Sequence, residues 1–350
     1  MMTTISYGDT TALQDFLDEW ATPQPTVSVH TSGSTGTPKD MSVSKRRMLA
    51  SARMACDFLH LTSADVALLC MPMQYIAGKM MVVRSIERDM TLVSVTPSAH
   101  PLSRESISDE AWEACRPTFA AFVPMQVMRS LEVPEECERL EQIRHVIIGG
   151  GAIDRQLEGQ LRALGNAVWS TYGMTETLSH VALRRVSGSE GTLWYTPMDG
   201  ISVSMSDRST LTIDAPRLCD GTLHTNDIVE MNEKGEFRIL GRTDNTINTG
   251  GVKVQIEEVE RLLADRLPAD MTSHYMVTSR PDPMYGEMVV MLVDGVGAEY
   301  DDWGTAIDAL PRYWRPKQLM PVDVLPLTGN GKPDRARAKA MAGANATYVR

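Results

Sequence analysis

Six short segments combine glycines with hydroxyl-bearing or charged side chains in a way that suits binding of a polyanion. The first is Thr31-Ser32-Gly33-Ser34-Thr35-Gly36-Thr37-Pro38-Lys39, directly after the apolar run Val27-Ser28-Val29. Its glycines let backbone N–H groups turn toward an anion, its hydroxyls add donors, and Lys39 supplies a mobile positive charge. Each of these features fits a polyphosphate. The segment is not a Walker loop, because Pro38 and Asp40 stand where that pattern needs Gly and Ser/Thr. The sequence also lacks the GxSxG of a serine-hydrolase elbow. Taken alone, the segment also has a plainer and less favoured reading as a Ser/Gly-rich surface loop.

The other five segments are weaker singly. Ile147-Ile148-Gly149-Gly150-Gly151 runs from a strand into glycines that permit close approach of a flat ligand. In Ser170-Thr171-Tyr172-Gly173-Met174-Thr175-Glu176, Tyr172 offers a ring for stacking, Thr175 a hydroxyl, and Glu176 a carboxylate able to hold Mg²⁺ near phosphates. Asp227, just past a strand, can accept two hydrogen bonds from a ribose diol, with Arg242 in support. The paired glycines of Asn248-Thr249-Gly250-Gly251-Val252-Lys253 can admit a chain-like ligand beside the backbone. Finally, Lys332 sits between glycines and Pro333 on a loop tip and can be delivered to a site formed elsewhere. Each also has a plain reading as a turn, a solvated helix start or a hairpin tip.

These segments need elements to hold them. Residues 26–240 repeat a short apolar run, a turn and a stretch of helical period. Runs such as 66–71, 91–95, 118–123 and 145–148 lack strict alternation and suit strands buried on both faces. Between them, Ser44 is placed to cap a helix carrying Met48, Ala52, Ala55 and Leu59. The pattern predicts an α/β sheet region. Beyond residue 190 the texture changes to alternating segments, 211–214 and 236–240, expected to form a small antiparallel sheet. A hydrophilic stretch, 241–245, reads as a linker before a helix signal over 256–267 and a second domain.

Composition bounds the partners. With 350 residues, two domains are expected at roughly 150 residues each. Lys plus Arg is 34 against 45 Asp plus Glu, a net charge of −11, which argues against a nucleic-acid partner held by a broad basic surface. Five scattered cysteines without a CxxC pair exclude a zinc ribbon and disfavour a disulfide framework. The start of the chain lacks a basic, then apolar, signal pattern, and no run reaches the roughly 18 apolar residues of a membrane span. A cytoplasmic location is the expectation. The 23 methionines against 5 phenylalanines read as flexible core filler.

In this order, the strings TSGSTGTPK, YGMTE, GRTDNTINTGGVKV and GNGKPDR together resemble the adenylate-forming superfamily of acyl- and aryl-CoA synthetases, adenylation domains and luciferases. The matched segments span residues 30 to 335. The resemblance implies an α/β fold with a large N-terminal domain, residues 1–241, of sheets flanked by helices plus a small antiparallel-rich distorted barrel. A small mobile α+β lid, residues 242–350, would carry the catalytic lysine. It implies ATP-dependent joining of a small-molecule carboxylic acid to coenzyme A through an acyl-adenylate, with Mg²⁺.

By motif position, Thr31, Ser32, Gly33, Ser34, Thr35, Gly36 and Lys39 would embrace the β- and γ-phosphates, Thr175 would touch the α-phosphate, and Glu176 would hold the metal. Gly150, Gly151 and Tyr172 would frame adenine, and Asp227 and Arg242 would hold ribose. Lys332 would bridge the α-phosphate and the acid, Asp244 would be the hinge, and Gly250, Gly251 and Lys253 would line the pantetheine path.

Two departures stand out. Only about 30 residues precede the expected phosphate loop, fewer than is usual in the superfamily, and the expectation is a thinner wall to the acyl pocket or a homo-oligomer partner that completes it. Asn226 stands where the superfamily commonly has Gly, a change expected to matter little because Asp227 is retained. For the acid, Arg84 lies inside the apolar segment 73–86, and a buried Arg needs an anion. A dicarboxylate substrate or an internal Glu or Asp would serve. That segment and the compact chain are most similar to o-succinylbenzoate–CoA ligases of menaquinone synthesis. Lys79, Ser179, His180 and Arg184 are further anchoring candidates. Other fatty- or aryl-acid CoA ligases, and a truncated, catalytically silent nucleotide-binding homologue, are the alternatives.

Overall fold

The computed structural model describes residues 2–30, 40–328 and 333–344. The chain is mixed α/β and divides into two compact units. One comprises Met1–Ser204, Thr212–Leu223 and Met231–Arg238, the other Met205–Leu211, His224–Glu230 and Ile239–Arg350.

The first unit is built on an eight-stranded sheet. From edge to edge its strands are Thr3–Tyr7, Thr91–Val95, Val66–Leu69, Phe119–Phe122, His145–Ile148, Ala167–Gly173, His180–Arg185 and Thr196–Pro197. The first six are mutually parallel, and each of the last two pairs antiparallel with the strand before it. The apolar runs seen in the sequence are these parallel strands. Leu68, Val93, Ala120, Phe122, Val146, Ile148 and Val168 are wholly buried in one core, as expected where helices cover both faces.

The strand order reverses beside Val66–Leu69: the chain steps first to Thr91–Val95 on one side and then to Phe119–Phe122 on the other. In open α/β sheets ligands bind at such a reversal, outside the carboxyl ends of the strands. The segments after Phe122, Ile148 and Gly173 are those ends.

The run before the first glycine-rich segment forms a separate hairpin. Thr26–His30 pairs antiparallel with Asp40–Ser44 and joins no strand of the large sheet. The helix Lys45–Phe58 follows, with Met48, Ala52, Ala55 and Leu59 buried as the spacing predicts. Ser44 precedes it but makes no side-chain cap bond. The Lys45 ammonium instead reaches the carbonyls of Glu19, Trp20 and Thr22 at 3.0, 2.8 and 2.7 Å, where the end of the helix Thr11–Ala21 favours a cation.

The predicted antiparallel sheet is present as Ser202–Met205, Thr210–Asp214, Thr222–Met231 and Phe237–Arg242, in that order. The expected linker at 241–245 is instead the end of a strand and a short 3-10 turn, Thr243–Asn245.

In the second unit, the order Val252–Gln255, Thr246–Thr249, Gly286–Val293, Tyr275–Asp282 forms an antiparallel sheet, with Leu319–Pro321 added parallel to Gly286–Val293. Alternate residues of its central strands enter two cores. Val277, Val289 and Met291 pack with Val259, Leu263 and Trp303, whereas Met276, Val290 and Leu292 pack with Ala338 and Ala342. The period-2 geometry of a strand thus covers both faces with helices. Among the described residues no helix is long and apolar enough to cross a membrane.

Candidate active site

Gly150, Gly151, Tyr172, Thr175 and Glu176 all lie at or just past the carboxyl ends of neighbouring parallel strands in the first unit. Gly150 has φ +77, a backbone that an L side chain rarely adopts. Tyr172 is buried in an aromatic group, edge-on to Phe237 at 5.2 Å and to Tyr195 at 6.0 Å. The strand containing it turns at Gly173, where a Cβ would stand 2.3 Å from the Ser179 carbonyl oxygen. Only glycine allows so close a return. The register shift at Tyr172 and Gly173 pairs Gly173 with His180.

That return is stapled by Thr177. Its hydroxyl donates to the Ser179 carbonyl at 2.7 Å and accepts from the Met174 N–H at 3.1 Å. Thr175 and Glu176 therefore ride on a short, internally bonded turn rather than on a free loop. Glu176 is exposed, and among the described residues no cation or donor engages its carboxylate. No group of three metal-ligating side chains occurs among the described residues. One open carboxylate fits Mg²⁺, which is commonly held by one or two carboxylates plus substrate phosphates and water.

The same turn brings Ser179 and His180 to Arg84. The helix Ile76–Arg88 is set close to the preceding loop, since a Cβ on Gly78 would lie 2.6 Å from the Pro72 carbonyl. Arg84 is 2% exposed. Its Nη2 donates to Ser179 Oγ at 2.6 Å and lies 3.5 Å from His180 Nδ1, and Nη1 reaches Met81 Sδ at 3.6 Å. Arg84 Nε and His180 Nε2 are buried without a partner among the described residues. Among the described residues no carboxylate pairs with Arg84, so the internal ion pair considered above is absent from them. Burial pushes the Arg84 guanidinium down to about 10. It also holds the His180 imidazolium well below its usual range, with the neighbouring Arg84 charge adding to the effect.

Lys79 and Arg184 have other attachments. The Lys79 ammonium donates to the Ser28 carbonyl and lies 5.4 Å over the Phe16 ring, tying the helix to the hairpin strand. Arg184 pairs with Glu158 at 2.8 Å and donates to the Thr192 carbonyl at 2.9 Å. Their positive charge already serves the fold.

In the second unit, Asp227 is 9% exposed and accepts from Arg242 Nη1 at 3.0 Å. Arg242 Nη2 donates to Asp244 at 2.9 Å, and Asn226 Nδ2 lies 3.1 and 3.2 Å from the two Asp244 oxygens. The ribose and hinge candidates thus form one bonded group. Asn226, expected to matter little, is one of its members. Gly250 and Gly251, at φ +59 and +82, are the two-residue turn joining Thr246–Thr249 to Val252–Gln255, the conformation that a tight hairpin requires. Lys253 is exposed on the second of these strands.

Thr31, Ser32, Gly33, Ser34, Thr35, Gly36, Lys39 and Lys332 lie outside the described residues. The base of the segment carrying Lys332 is described. Leu327 bridges to Pro333, and the Asp334 N–H donates to the Pro326 carbonyl at 2.9 Å. Arg335 grips both oxygens of Glu260 at 2.7 and 2.6 Å. The structural tasks of Glu260, Gly173 and Thr177 were not legible in the sequence, because their partners are distant in the chain or made of backbone.

A parallel sheet with its glycine-rich strand ends, an appended antiparallel sheet and a small α+β unit define a nucleotide-dependent ligase fold. The chain belongs to the family of AMP-binding enzymes, whose model matches residues 9–214, and it is an AMP-forming acid–CoA ligase. A probable 2-succinylbenzoate–CoA ligase of Mycobacterium tuberculosis is 30% identical over 329 residues, covering 88% of this chain and 82% of that protein. The solved structure of an acyl-CoA synthetase (AMP-forming)/AMP-acid ligase II-like protein from Dyadobacter fermentans is also 30% identical. It has a TM-score of 0.62 and covers 94% of this chain and 93% of that one. The o-succinylbenzoate CoA synthetase of Bacillus subtilis, solved with its acyl-adenylate intermediate, has a TM-score of 0.71 at 22% identity, over 89% of this chain and 68% of that one, a likeness of fold. The adenylate-forming resemblance read from the motifs is borne out.

Proposed function

We propose that this enzyme activates o-succinylbenzoate, or a dicarboxylate closely like it, with ATP and passes the acyl group to coenzyme A. The observation that carries the reading is Arg84. It is a fully buried guanidinium whose neighbours are Ser179, His180 and Met81 and which has no carboxylate among the described residues. A buried cation of this kind calls for an anionic partner. One carboxylate of the substrate anchors there while the other reacts. The relatives named 2-succinylbenzoate–CoA ligases support the same acid.

The first step joins a carboxylate oxygen to the α-phosphorus and expels pyrophosphate. The second joins the coenzyme A sulfur to the acyl carbon and expels AMP. The first barrier is largely electrostatic, since an anion must approach an anion, and fixed donors lower it. In this reading Thr31–Lys39 hold the β- and γ-phosphates, Thr175 the α-phosphate, Gly150, Gly151 and Tyr172 the adenine, and Asp227 with Arg242 the ribose. Glu176 would hold Mg²⁺, which would offset phosphate charge when bound. Lys332 lies between the α-phosphate and the attacking carboxylate. Residues 242–350 act as a lid turning at Asp244, exchanging Lys332 for Gly250, Gly251 and Lys253 on the thiol side.

Pyrophosphate release across a panel of acids, with and without coenzyme A, tests the reading. The diacid should drive release at micromolar to low-millimolar concentrations, the ordinary range for a substrate. Release driven better by mono-acids would replace the substrate assignment. ATP binding without acid-dependent release would identify a silent homologue.

A further inference from the structure

His180 is the residue on the first unit's site that the reaction above does not use, and its hydrogen-bonding state can be deduced from its neighbours. A guanidinium only donates. Arg84 Nη2 donates to Ser179 Oγ at 2.6 Å, so the Ser179 hydroxyl keeps its own proton for a further acceptor. His180 Nδ1 is 3.3 Å from that hydroxyl and 3.5 Å from Arg84 Nη2, so both neighbours present donors to it. Nδ1 therefore accepts, and the ring proton sits on Nε2. That N–H is buried on a residue 5% exposed and has no partner among the described residues, and the same holds for the N–H of Arg84 Nε. Native structures seldom leave two such donors unsatisfied on touching residues, because each carries a substantial desolvation penalty.

We propose that His180 is a specificity-determining residue, whose Nε2–H is a neutral donor reserved for the remote carboxylate of the acid substrate. The proposal rests on the dicarboxylate reading and deepens it. The pair Arg84–His180 supplies one positive charge and two buried donors that have no partner among the described residues. That complements a carboxylate, which has one negative charge and acceptors only. A second positive charge is not available, because the imidazole stays neutral beside the guanidinium. An alcohol or amide at the same place would leave the Arg84 charge unbalanced. The site thereby rejects acids lacking the second carboxylate, since a polar group left unpaired in a buried site discriminates far more than a missing methylene does.

The test compares wild type, His180→Phe and His180→Gln on o-succinylbenzoate and on the two mono-acids in which either carboxyl is replaced by hydrogen. Phe keeps a flat ring and removes the donor. Gln restores an N–H of similar reach. Thermal unfolding of each variant reports its folding. His180→Phe should raise KM for the diacid about tenfold to a hundredfold with kcat within about twofold, the range for losing a hydrogen bond to a charged group. KM for the turned-over mono-acid should be unchanged, and His180→Gln should recover most of the loss.

A His180→Phe enzyme that keeps wild-type diacid KM, or loses diacid and mono-acid equally, overturns the assignment of His180 while leaving the diacid reading intact. Wild type that prefers a mono-acid removes the diacid reading, and this proposal with it.

Discussion

At the scale of single residues, Arg84 concentrates the conflict between stability and function. A buried charge without a carboxylate partner among the described residues is unfavourable to the empty fold. Arg84→Met keeps the volume and removes the charge. It should leave the thermal midpoint unchanged or raise it, while raising KM for a diacid at least tenfold. A variant that both unfolds and loses activity would mean that Arg84 is structural.

Two histidines, His180 buried and His145 half-buried, contribute a pH dependence of stability. His180 is held well below its usual range and His145 is lowered to about 4, in both cases chiefly by burial. The unfolded chain takes up protons on these rings below about pH 6.5 while the folded chain does not. Stability is therefore full above pH 6.5 and lost as pH falls toward 4. A urea midpoint that declines over this window, and declines less in His145→Gln, checks the sign. Arg84 was legible in the sequence because a charge inside an apolar helix is conspicuous. Its partners Ser179 and His180 are some 95 residues away, and only the fold shows that all three meet.

At the scale of elements, the turn from Gly173 to His180 decides where two sets of candidate residues stand. Thr175 and Glu176 lie on its outer part, and Ser179 and His180 at its base. Gly173→Ala would put a Cβ 2.3 Å from the Ser179 oxygen and 2.5 Å from the His180 Cα. Backbone cannot yield as a flexible side chain does, so about 1–3 kcal/mol of stability should be lost, as in other overpacked sites. KM for ATP and for the acid should rise together. A rise in only one would show that the turn does not position both sets. The sequence marked this glycine as part of a motif and assigned it no steric task. The task exists only because an antiparallel strand returns against it. By contrast, Gly250 and Gly251 read as a tight chain reversal and are one, since turn chemistry is local.

At the scale of the whole molecule, the proposed reaction needs two half-reactions served by different parts of the second unit. Lys332→Ala should slow adenylate formation by roughly 10²–10³-fold, the range for removing a charged contact to a transition state. It should spare thioester formation from supplied acyl-adenylate. Equal loss in both, measured as pyrophosphate release and as thioester formation, would contradict that division. Asp244 is bonded by both Arg242 and Asn226, so the ribose candidates and the proposed hinge share one network. Asn226 was legible as a departure from the superfamily pattern but not as a partner of Asp244, because the two are 18 positions apart, one on a strand and the other on a 3-10 turn.

The sequence by itself determined the class of enzyme and the kind of fold. Glycine-rich polar loops, hydrophobic period and strand length are local properties, and buried parallel strands need no more than an unbroken apolar run to be read. The tertiary structure decided which charges are already occupied. Lys79 and Arg184 were further, weaker anchoring candidates beside Arg84, and the fold gives the first a carbonyl and the second a carboxylate, and leaves Arg84 facing a hydroxyl and an imidazole. Charge compensation depends on what lies within a few ångströms, and that distance is set by sheet order and turn geometry rather than by position along the chain.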